Sequence, residues 1–449
     1  MLIKPVVCLL LVAAGSLRAY SQTPDTVVMD MSSCLKYAVR HQPGLRASLV
    51  NQRIVDYQVK GALADWLPQV SGNAEVEHYF QPSQTFFPDS LITPGAPGYT
   101  TFPSTPTNVS VLGLAVNQNI YNRDVMLAAR TSKYYRRYAG ESVDSARIDL
   151  VVDVSKAYYS VYTSELQLGI LLEDVLRLEQ SLKDTYNQYQ SGIVDKTDYK
   201  QATIQLNTAR VQYKQAQEAI PAKYAYLKQL IGFPVDSVLR LQSDSAAMVL
   251  EAMMDTSQQL DYNRRVEIQS LQTLKNLALA QYDYQRLGWL PTLSFFYDYN
   301  LSYGNNTFSK LYNANFPNSY LGLTLGIPLF QGFKRIYAMR AAKLGAELVD
   351  LRLEDTKRVI NTQFAEAMAA YRGDLENWKV SQEDIGLSKE VYTTVTLQYK
   401  EGIKTYLDVI TAEASLRTSE ITGLDALFSL LIDKMDVLKA TGTVNTNIN

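Results

Sequence analysis

Two aspartates occupy matching places in the two halves of this 449-residue chain. Asp198 follows a Gln-Tyr-x-x-Gly-Ile string at 188–193, and Asp408 follows the same string at 398–403. A carboxylate just after a chain turn can cap the first turn of a helix, or it can attract cations to an aqueous passage. Both uses stay open for Asp408, whereas capping is the use that this position favours for Asp198.

Catalytic chemistry finds no support in the sequence. The only imidazoles are His41 and His78, too few for a metal cluster. There is no glycine-rich phosphate loop, and no serine or cysteine nucleophile has a plausible histidine beside it. Glu75 and Glu77 alternate along one strand face, which favours a polar lining over an acid–base pair. We therefore expect no enzyme activity, no metal and no cofactor.

The first 21 residues are typical of a secretory signal peptide. Lys4 precedes a short apolar run, and small residues follow it, with cleavage expected after Ala19 or Ser21. A buried N-terminal helix is the alternative. Cys8 has no small residue before it, so no lipidation box is expected.

Without that peptide the chain is weakly acidic. Removing Lys4 and Arg18 leaves 41 basic residues against 45 acidic ones, a net charge of −4, which predicts no basic face for nucleic acid. Cys34 is then the only cysteine, so no internal disulfide can form.

The second half of the chain repeats the first. Trp66-Leu67-Pro68, for example, returns as Trp289-Leu290-Pro291. A unit of about two hundred residues used twice predicts one pseudo-symmetric body. The expected divisions are a signal peptide at 1–21, a first copy at 22–232, a connecting segment at 233–260, a second copy at 261–442 and a tail at 443–449.

Each copy contains a predicted β-hairpin, at 70–120 and at 292–329. In the second hairpin, Leu293, Phe295 and Tyr297 alternate with mostly polar residues, and period two with one apolar face indicates a half-buried strand. About ten residues is also the length of a tilted barrel strand across a bilayer. A soluble hairpin packed on a helix is the alternative. Segments 81–108 and 304–318 are expected to be exposed loops.

A very long helix is predicted after each hairpin. Apolar residues between Leu150 and Leu182 recur at alternating spacings of 4 and 3, which keeps one seam toward a neighbouring helix. A helix over about 123–190 would extend roughly 100 Å, and the matching segment at 333–399 also lacks proline. A returning helix completes each pair, and it is expected to end at Gly232 in the first copy and at Gly442 in the second.

Prolines and glycines mark the expected element ends. Gly192 and Gly402 are predicted to form the tip turns, since glycine can take the left-handed conformation that ends a helix. Pro68 and Pro291 are predicted to end the opening helices at the junction between the strands and the long helices. Ser32 is the expected N-cap of the first opening helix.

Four strands per chain predict an assembly. Open sheet edges are not tolerated in lipid, so four strands cannot close a barrel alone. Three chains would supply twelve, an even number within the range of outer-membrane barrels. The expected fold class is mainly α with a small membrane β part: a twelve-stranded β-barrel above a trimeric α-barrel of long coiled-coil helix pairs.

The doubled order of helix, hairpin, long helix and returning helix resembles the TolC family of outer-membrane efflux proteins over nearly the whole mature chain. The tips YQSGIVDKTDYKQA and YKEGIKTYLDVITAEASL are similar to the family's Y-x-x-G-x-x-x-x-x-D-V turn. The resemblance implies a homotrimeric channel-tunnel in the bacterial outer membrane with its helices in the periplasm. It would be the passive exit duct of a tripartite efflux or type I secretion system.

The implied partners are a periplasmic adaptor, an inner-membrane pump of the RND or ABC type, and outer-membrane lipid. A soluble periplasmic coiled-coil scaffold or adaptor is the alternative, which would explain the helices but not the paired strands.

The resemblance also implies roles for residues at the tips. Asp408 and Thr411 match the two positions that line the family's constriction, so one ring of carboxylates is expected. Three Asp408 carboxylates around one axis would repel one another and attract cations. The positions that match the latch are Thr197, Asp198, Tyr399 and Lys404. The pairs Tyr399–Asp198 and Lys404–Thr197 are expected to hold the tips shut, although Tyr399 packing at a helix seam is the alternative.

Overall fold

The computed structural model describes residues 27–92, 94, 97–242 and 245–446, so the expected signal peptide lies outside the described residues. The helices are α1 (Met31–His41), α2 (Pro43–Ala64), α3 (Arg123–Gln190), α4 (Lys196–Ile231), α5 (Ser245–Ala252), α6 (Val266–Arg286), α7 (Lys334–Lys400) and α8 (Tyr406–Thr441). The strands are β1 (Val27–Met29), β2 (Gln69–His78), β3 (Gln84–Pro88), β4 (Tyr99–Pro103), β5 (Asn108–Tyr121), β6 (Leu239–Leu241), β7 (Thr292–Asn305) and β8 (Asn315–Gly326). Within these ranges, no helix is both long and apolar enough to cross a membrane.

The main sheet joins the two copies. Its strand order is β2-β5-β7-β8, and every neighbouring pair is antiparallel. The register sets Leu112 opposite both Ala74 and Leu301, so apolar residues of neighbouring strands share one face. β2 and β8 are the edge strands, and within the described part of the chain each leaves one row of backbone hydrogen-bonding groups unpaired.

The two faces of this sheet differ in polarity. The apolar face carries Val70, Ala74, Val76, Leu112, Leu114, Val116, Leu293, Phe295, Leu301, Leu321, Leu323 and Leu325. The opposite face carries mostly polar side chains, among them Ser71, Asn73, Glu75, Glu77, Asp298, Asn300 and Thr324. This separation follows directly from the period-two pattern, because successive side chains of a strand point to opposite faces.

The first expected loop contains structure of its own. β3 and β4 pair inside segment 81–108, with Thr85 opposite Phe102, and the rings of Phe87 and Phe102 meet edge to face. The expectation of a plain loop is therefore wrong there, because β-branched and aromatic residues pair between its prolines. The second expected loop is shorter than predicted: β7 continues to Asn305, and β8 begins at Asn315.

The long helices are observed where the spacing places them. α3 has 68 residues and α7 has 67. Most of the seam from Leu150 to Leu178 is buried, and Val154 and Val161 are inaccessible to solvent. α3 packs along α4, and α7 packs along α8. The alternating spacing thus does what a 3.5-residue repeat predicts, since it keeps one stripe of each helix against its neighbour.

The largest apolar core lies around the middle of α3. There, α1, α4, α5 and α8 pack against Tyr158, Tyr159 and their neighbours, and the short parallel pair β1–β6 covers one side. The hydroxyl of Tyr159 donates to Glu251 Oε1 at 2.7 Å. Lys156 Nζ lies 2.6 Å from Asp436 Oδ1, which ties the first copy to the second.

The opening of the first copy differs from the prediction in two ways. Asp30 is the N-cap rather than Ser32, because its Oδ1 accepts from the Ser33 amide at 2.8 Å. The single helix expected toward Trp66 is two helices, α1 and α2, that break at Gln42. Pro43 has no amide hydrogen and forces an extended conformation on the residue before it, so it starts a new helix.

Each returning helix ends on a glycine that touches the opening of its own copy. Gly232 and Gly442 have φ of 70° and 69°. A Cβ at Gly232 would lie 2.8 Å from the His41 carbonyl oxygen, and one at Gly442 would lie 2.8 Å from that of Arg264. After Gly442, Val444 packs against the core, so the expected tail is ordered at its start.

Candidate functional site

The two helix tips have the same backbone geometry. Gly192 and Gly402 take φ of 73° and 74°. In the first tip, the amide of Ile193 donates to the Gln188 carbonyl at 2.9 Å, and in the second, Ile403 donates to Gln398 at 2.9 Å. This Schellman pattern satisfies carbonyls that the helix end leaves free and requires the left-handed residue that glycine supplies.

Asp408 caps α8. Its Oδ2 accepts from the Thr405 amide at 2.9 Å and from the Thr405 hydroxyl at 2.8 Å, while the Asp408 amide donates back to Thr405 Oγ1. These hydrogen bonds from Thr405 lower the pKa of Asp408, which keeps the carboxylate ionised near neutral pH. Lys404 Nζ lies 3.9 Å from Asp408 Oδ1, and the Asp408 side chain is 40% exposed. The capping use is observed, and the exposure leaves the carboxylate available to solvent.

The other constriction position, Thr411, lies one turn further along α8 and is exposed. Its hydroxyl donates to the Leu407 carbonyl of its own helix at 2.8 Å. Asp198 lies in the first turn of α4, and its amide donates to the carbonyl of the N-cap residue Asp195 at 3.2 Å. Among the described residues, no side chain caps this helix start. The two repeat-related aspartates therefore have different local roles.

The latch positions lie close together, but they pair differently within one chain. The Tyr399 hydroxyl donates to Gln188 Oε1 at 2.6 Å. Burial raises the pKa of Tyr399, and the nearby Asp198 carboxylate adds to this. Among the described residues, no hydrogen bond joins Tyr399 to Asp198 or Lys404 to Thr197, and Thr197 is exposed. The latch pairs stay a prediction for the assembled protein.

Packing also holds the two tips together. Ala202 of α4 contacts Tyr406 and Ile410 of α8, and Tyr399 packs against this group. The hydroxyls of Tyr406 and Ser181 lie 3.1 Å apart. Tyr399 thus takes part in both a hydrogen bond and an apolar contact at the tip.

A buried group of charges lies between α3 and α8, where the sequence pattern indicated only apolar packing. The α3–α8 charge cluster consists of Asp174, Arg177, Glu413, Arg417 and Glu420. Arg417 Nη1 donates to Asp174 Oδ2 at 3.0 Å, and Arg177 Nη2 donates to Asp174 Oδ1 at 3.3 Å. The three members on α8 are spaced by 4 and 3, which is the spacing of a helix seam, so charged residues on seam positions could have revealed it.

The junction prolines lie between helix and strand as expected. Pro68 separates α2 from β2, and Pro291 separates α6 from β7. The side-chain amide of Asn119 in β5 donates to the Asp65 carbonyl at 2.9 Å, which ties the end of α2 to the sheet. In the part of the chain that the structure describes, no three His, Cys, Asp or Glu residues are placed to hold a metal ion.

Comparison with known proteins gives one family. The model of the family described as "Outer membrane efflux protein" matches residues 35–233 and 259–443. The break between the two matched ranges falls within the segment that connects the copies.

Among curated proteins, a probable efflux pump outer membrane protein of Pseudomonas putida, TtgC, is 21% identical over 402 residues, covering 89% of this chain and 80% of TtgC. The alkaline protease secretion protein AprF of Pseudomonas aeruginosa is 19% identical over 306 residues, covering 68% of this chain and 63% of AprF. Among solved structures, CusC, whose crystals were studied for folding and transmembrane channel formation, is similar with a TM-score of 0.72 at 17% identity over 93% of both chains.

Proposed function

The chain belongs to the outer membrane efflux protein family and is an exit duct of the outer membrane, and we propose that three copies of it build one channel-tunnel. The resemblance inferred from the tips and the doubled element order is confirmed at the level of the family. The proposed body has two copies of one unit, 22–232 and 261–442, joined by 233–260.

The sheet supports a barrel made by several chains. Four strands leave β2 and β8 as open edges, and an apolar face of membrane-strand length is exposed; Leu321, for example, is 69% exposed. Lipid would cover that face, and β8 of one chain would pair with β2 of the neighbouring chain. Twelve strands would then close the wall with the polar face toward the passage.

The tips support a closed, cation-attracting end. Asp408 is ionised and half exposed, and three chains would bring three such carboxylates around one axis. Thr411 would add a ring of neutral hydroxyls one turn away. The passage is proposed to be passive, with an inner-membrane pump of the RND or ABC type supplying the energy.

A periplasmic adaptor is the proposed partner at the tips. A groove with a volume of 540 Å³ runs between α3 and α4 near the first tip, and both charged and aromatic side chains line it. Its charged members are Glu179, Lys183 and Arg210. The names of the similar proteins include both efflux and secretion, so the pump and adaptor would decide which cargo passes.

The proposed function is tested with the full-length mature protein in planar bilayers. We expect a heat-sensitive trimer on gels and a small, cation-preferring conductance. Asp408→Asn should weaken the cation preference severalfold, because asparagine can still cap α8 but carries no charge. A monomeric protein that conducts no ions would refute the channel, and equal ion selectivity of both forms would refute the carboxylate ring.

The latch makes a second prediction. Tyr399→Phe combined with Lys404→Ala should raise single-channel conductance, since it removes the hydrogen bond to Gln188 and the charge beside the turn. Lys400→Ala is a matched control, because it removes an exposed lysine at the end of α7. Conductance equal to that of the wild type in the double variant would contradict the latch.

A further inference from the structure

The α3–α8 charge cluster joins two helices that belong to different copies. Asp174 and Arg177 come from α3, and Glu413, Arg417 and Glu420 come from α8. The cluster lies further from the tip, along α8, than the contact between Ala202, Tyr406 and Ile410. A separation of α8 from α3 that extends beyond this tip contact has to part these charges.

The cluster is unbalanced when every member is ionised. Two guanidinium groups face three carboxylates, and Asp174 is 0% exposed while Glu413 is 3% exposed. Asp174 accepts hydrogen bonds from both Arg417 and Arg177. Arg177 Nε lies 3.5 Å from Glu413 Oε1, which is long for a hydrogen bond. Among the residues that the structure describes, that oxygen has no hydrogen-bond partner. One negative charge is thus buried with little compensation.

Glu413 is the member that best accepts a proton. Burial, with the charge of Asp174 as the next cause, raises the pKa of Glu413 to about 7 against the pull of the two arginines. The groups that face it are Asp174 and Arg177 from α3, Tyr392 from α7, and Arg417 and Tyr406 on α8. Glu420 also lies beside Arg177, at 3.8 Å. Burial raises the pKa of Glu420, the charge of Glu173 adds to this, and Arg177 and Lys389 oppose it.

We propose that the α3–α8 charge cluster is a proton-operated restraint on tip opening, in which a proton on Glu413 holds α8 against α3 and loss of that proton lets them separate. The protonated cluster has two positive and two negative charges in a buried site. The deprotonated cluster has one unpaired negative charge, which is relieved when water reaches it. This inference rests on the proposed channel.

The direction of the pH dependence follows from the pKa of Glu413 in the closed and the separated state. In a separated, hydrated site its pKa would return toward the ordinary 4.5, so the closed state binds the proton more tightly. Closure is therefore favoured fully below about pH 4.5, and this advantage falls as the pH rises until it is lost above about 7. The full difference corresponds to a shift of the closed-to-open equilibrium on the order of 10²-fold per chain.

The test records conductance of the full trimer between about pH 5.5 and 8.5, the range around neutral where such a carboxyl titrates. We expect wild-type conductance to rise with pH around neutrality. Glu413→Gln, which mimics the protonated form, should stay at the low level throughout, and Glu413→Asp should keep a pH-dependent rise. A rise in Glu413→Gln equal to that of the wild type would overturn the proposal.

A control locates the effect. Asp433→Asn removes another carboxyl on α8, which is half-buried and whose pKa burial raises to about 6. This variant should keep the rise in conductance. If it lost the rise while Glu413→Gln kept it, the pH dependence would belong to Asp433 and not to Glu413.

A measurement that needs no conductance separates this inference from the channel itself. Spin labels at Leu172→Cys on α3 and Thr418→Cys on α8 should report a longer distance at about pH 8.5 than at about pH 5.5, on either side of the titration of the same buried carboxyl. Cys34 is buried and should not be labelled. A wild type without conductance but with this change would refute the channel alone, whereas a distance that is the same at both pH values would refute the restraint.

Discussion

Arginine in place of Leu321 should prevent the protein from assembling in the outer membrane. Leu321 lies near the middle of β8 on the apolar face and is 69% exposed in the single chain. An arginine on the lipid face at the bilayer midplane costs about 2–4 kcal/mol, and a trimer would carry three of them. We expect the heat-sensitive trimer band to disappear from membrane fractions.

Thr324→Arg is the matched control for that change. Thr324 is also an exposed residue of β8, but it lies on the polar face of the sheet, which would border the aqueous passage. This variant should assemble normally and alter only ion selectivity. If both variants assembled equally well, the assignment of the apolar face to lipid would be wrong.

Replacing Arg417 by methionine should give the largest loss of stability among the helix contacts. Arg417 donates to the fully buried Asp174, and its removal leaves that carboxylate to share Arg177 with Glu413 and Glu420. Breaking a buried pair by removing one partner costs about 3–5 kcal/mol. The melting temperature of the helices, followed by circular dichroism, should therefore fall clearly.

The loss should be larger at higher pH, because the remaining carboxyls are then ionised with one fewer positive charge beside them. Arg358→Met is the control, since Arg358 pairs with Glu354 on the exposed surface of α7 at 2.6 Å, with both side chains largely in solvent. Exposed pairs of this kind contribute little to stability. Equal melting temperatures for the two variants would mean that the buried cluster contributes no more than a surface pair.

Periodic patterns predicted most of the framework. The long helices, the four sheet strands and the glycine turns follow from spacing that repeats over many residues or from a single residue type that the backbone requires. Gly192 and Gly402 are examples, because the left-handed turn needs them whatever their surroundings. The single opening helix expected across Gln42 is wrong, because Pro43 stands in the first turn of α2 and the residue before a proline disfavours the helical conformation, which ends α1.

Contacts between distant residues could not be predicted in the same way. Asp174 meets Arg417, 243 positions away, and neither residue has a local pattern that specifies the other. The partner of Tyr399 within the chain is Gln188, which the family resemblance did not indicate. Such pairs depend on how two helices are rotated against each other, and a seam spacing fixes that rotation only approximately.

The glycines at 232 and 442 have a consequence for the history of the chain. Each closes the end of its own half against a carbonyl of that half, at His41 and at Arg264, and in both places a methyl group on the glycine would stand only 2.8 Å from the carbonyl oxygen. Both residues of each contact therefore lie in the same half of the chain. If the chain arose by duplication of one half, each half would have brought its own joint, because the clash of a larger side chain with the carbonyl arises within that half.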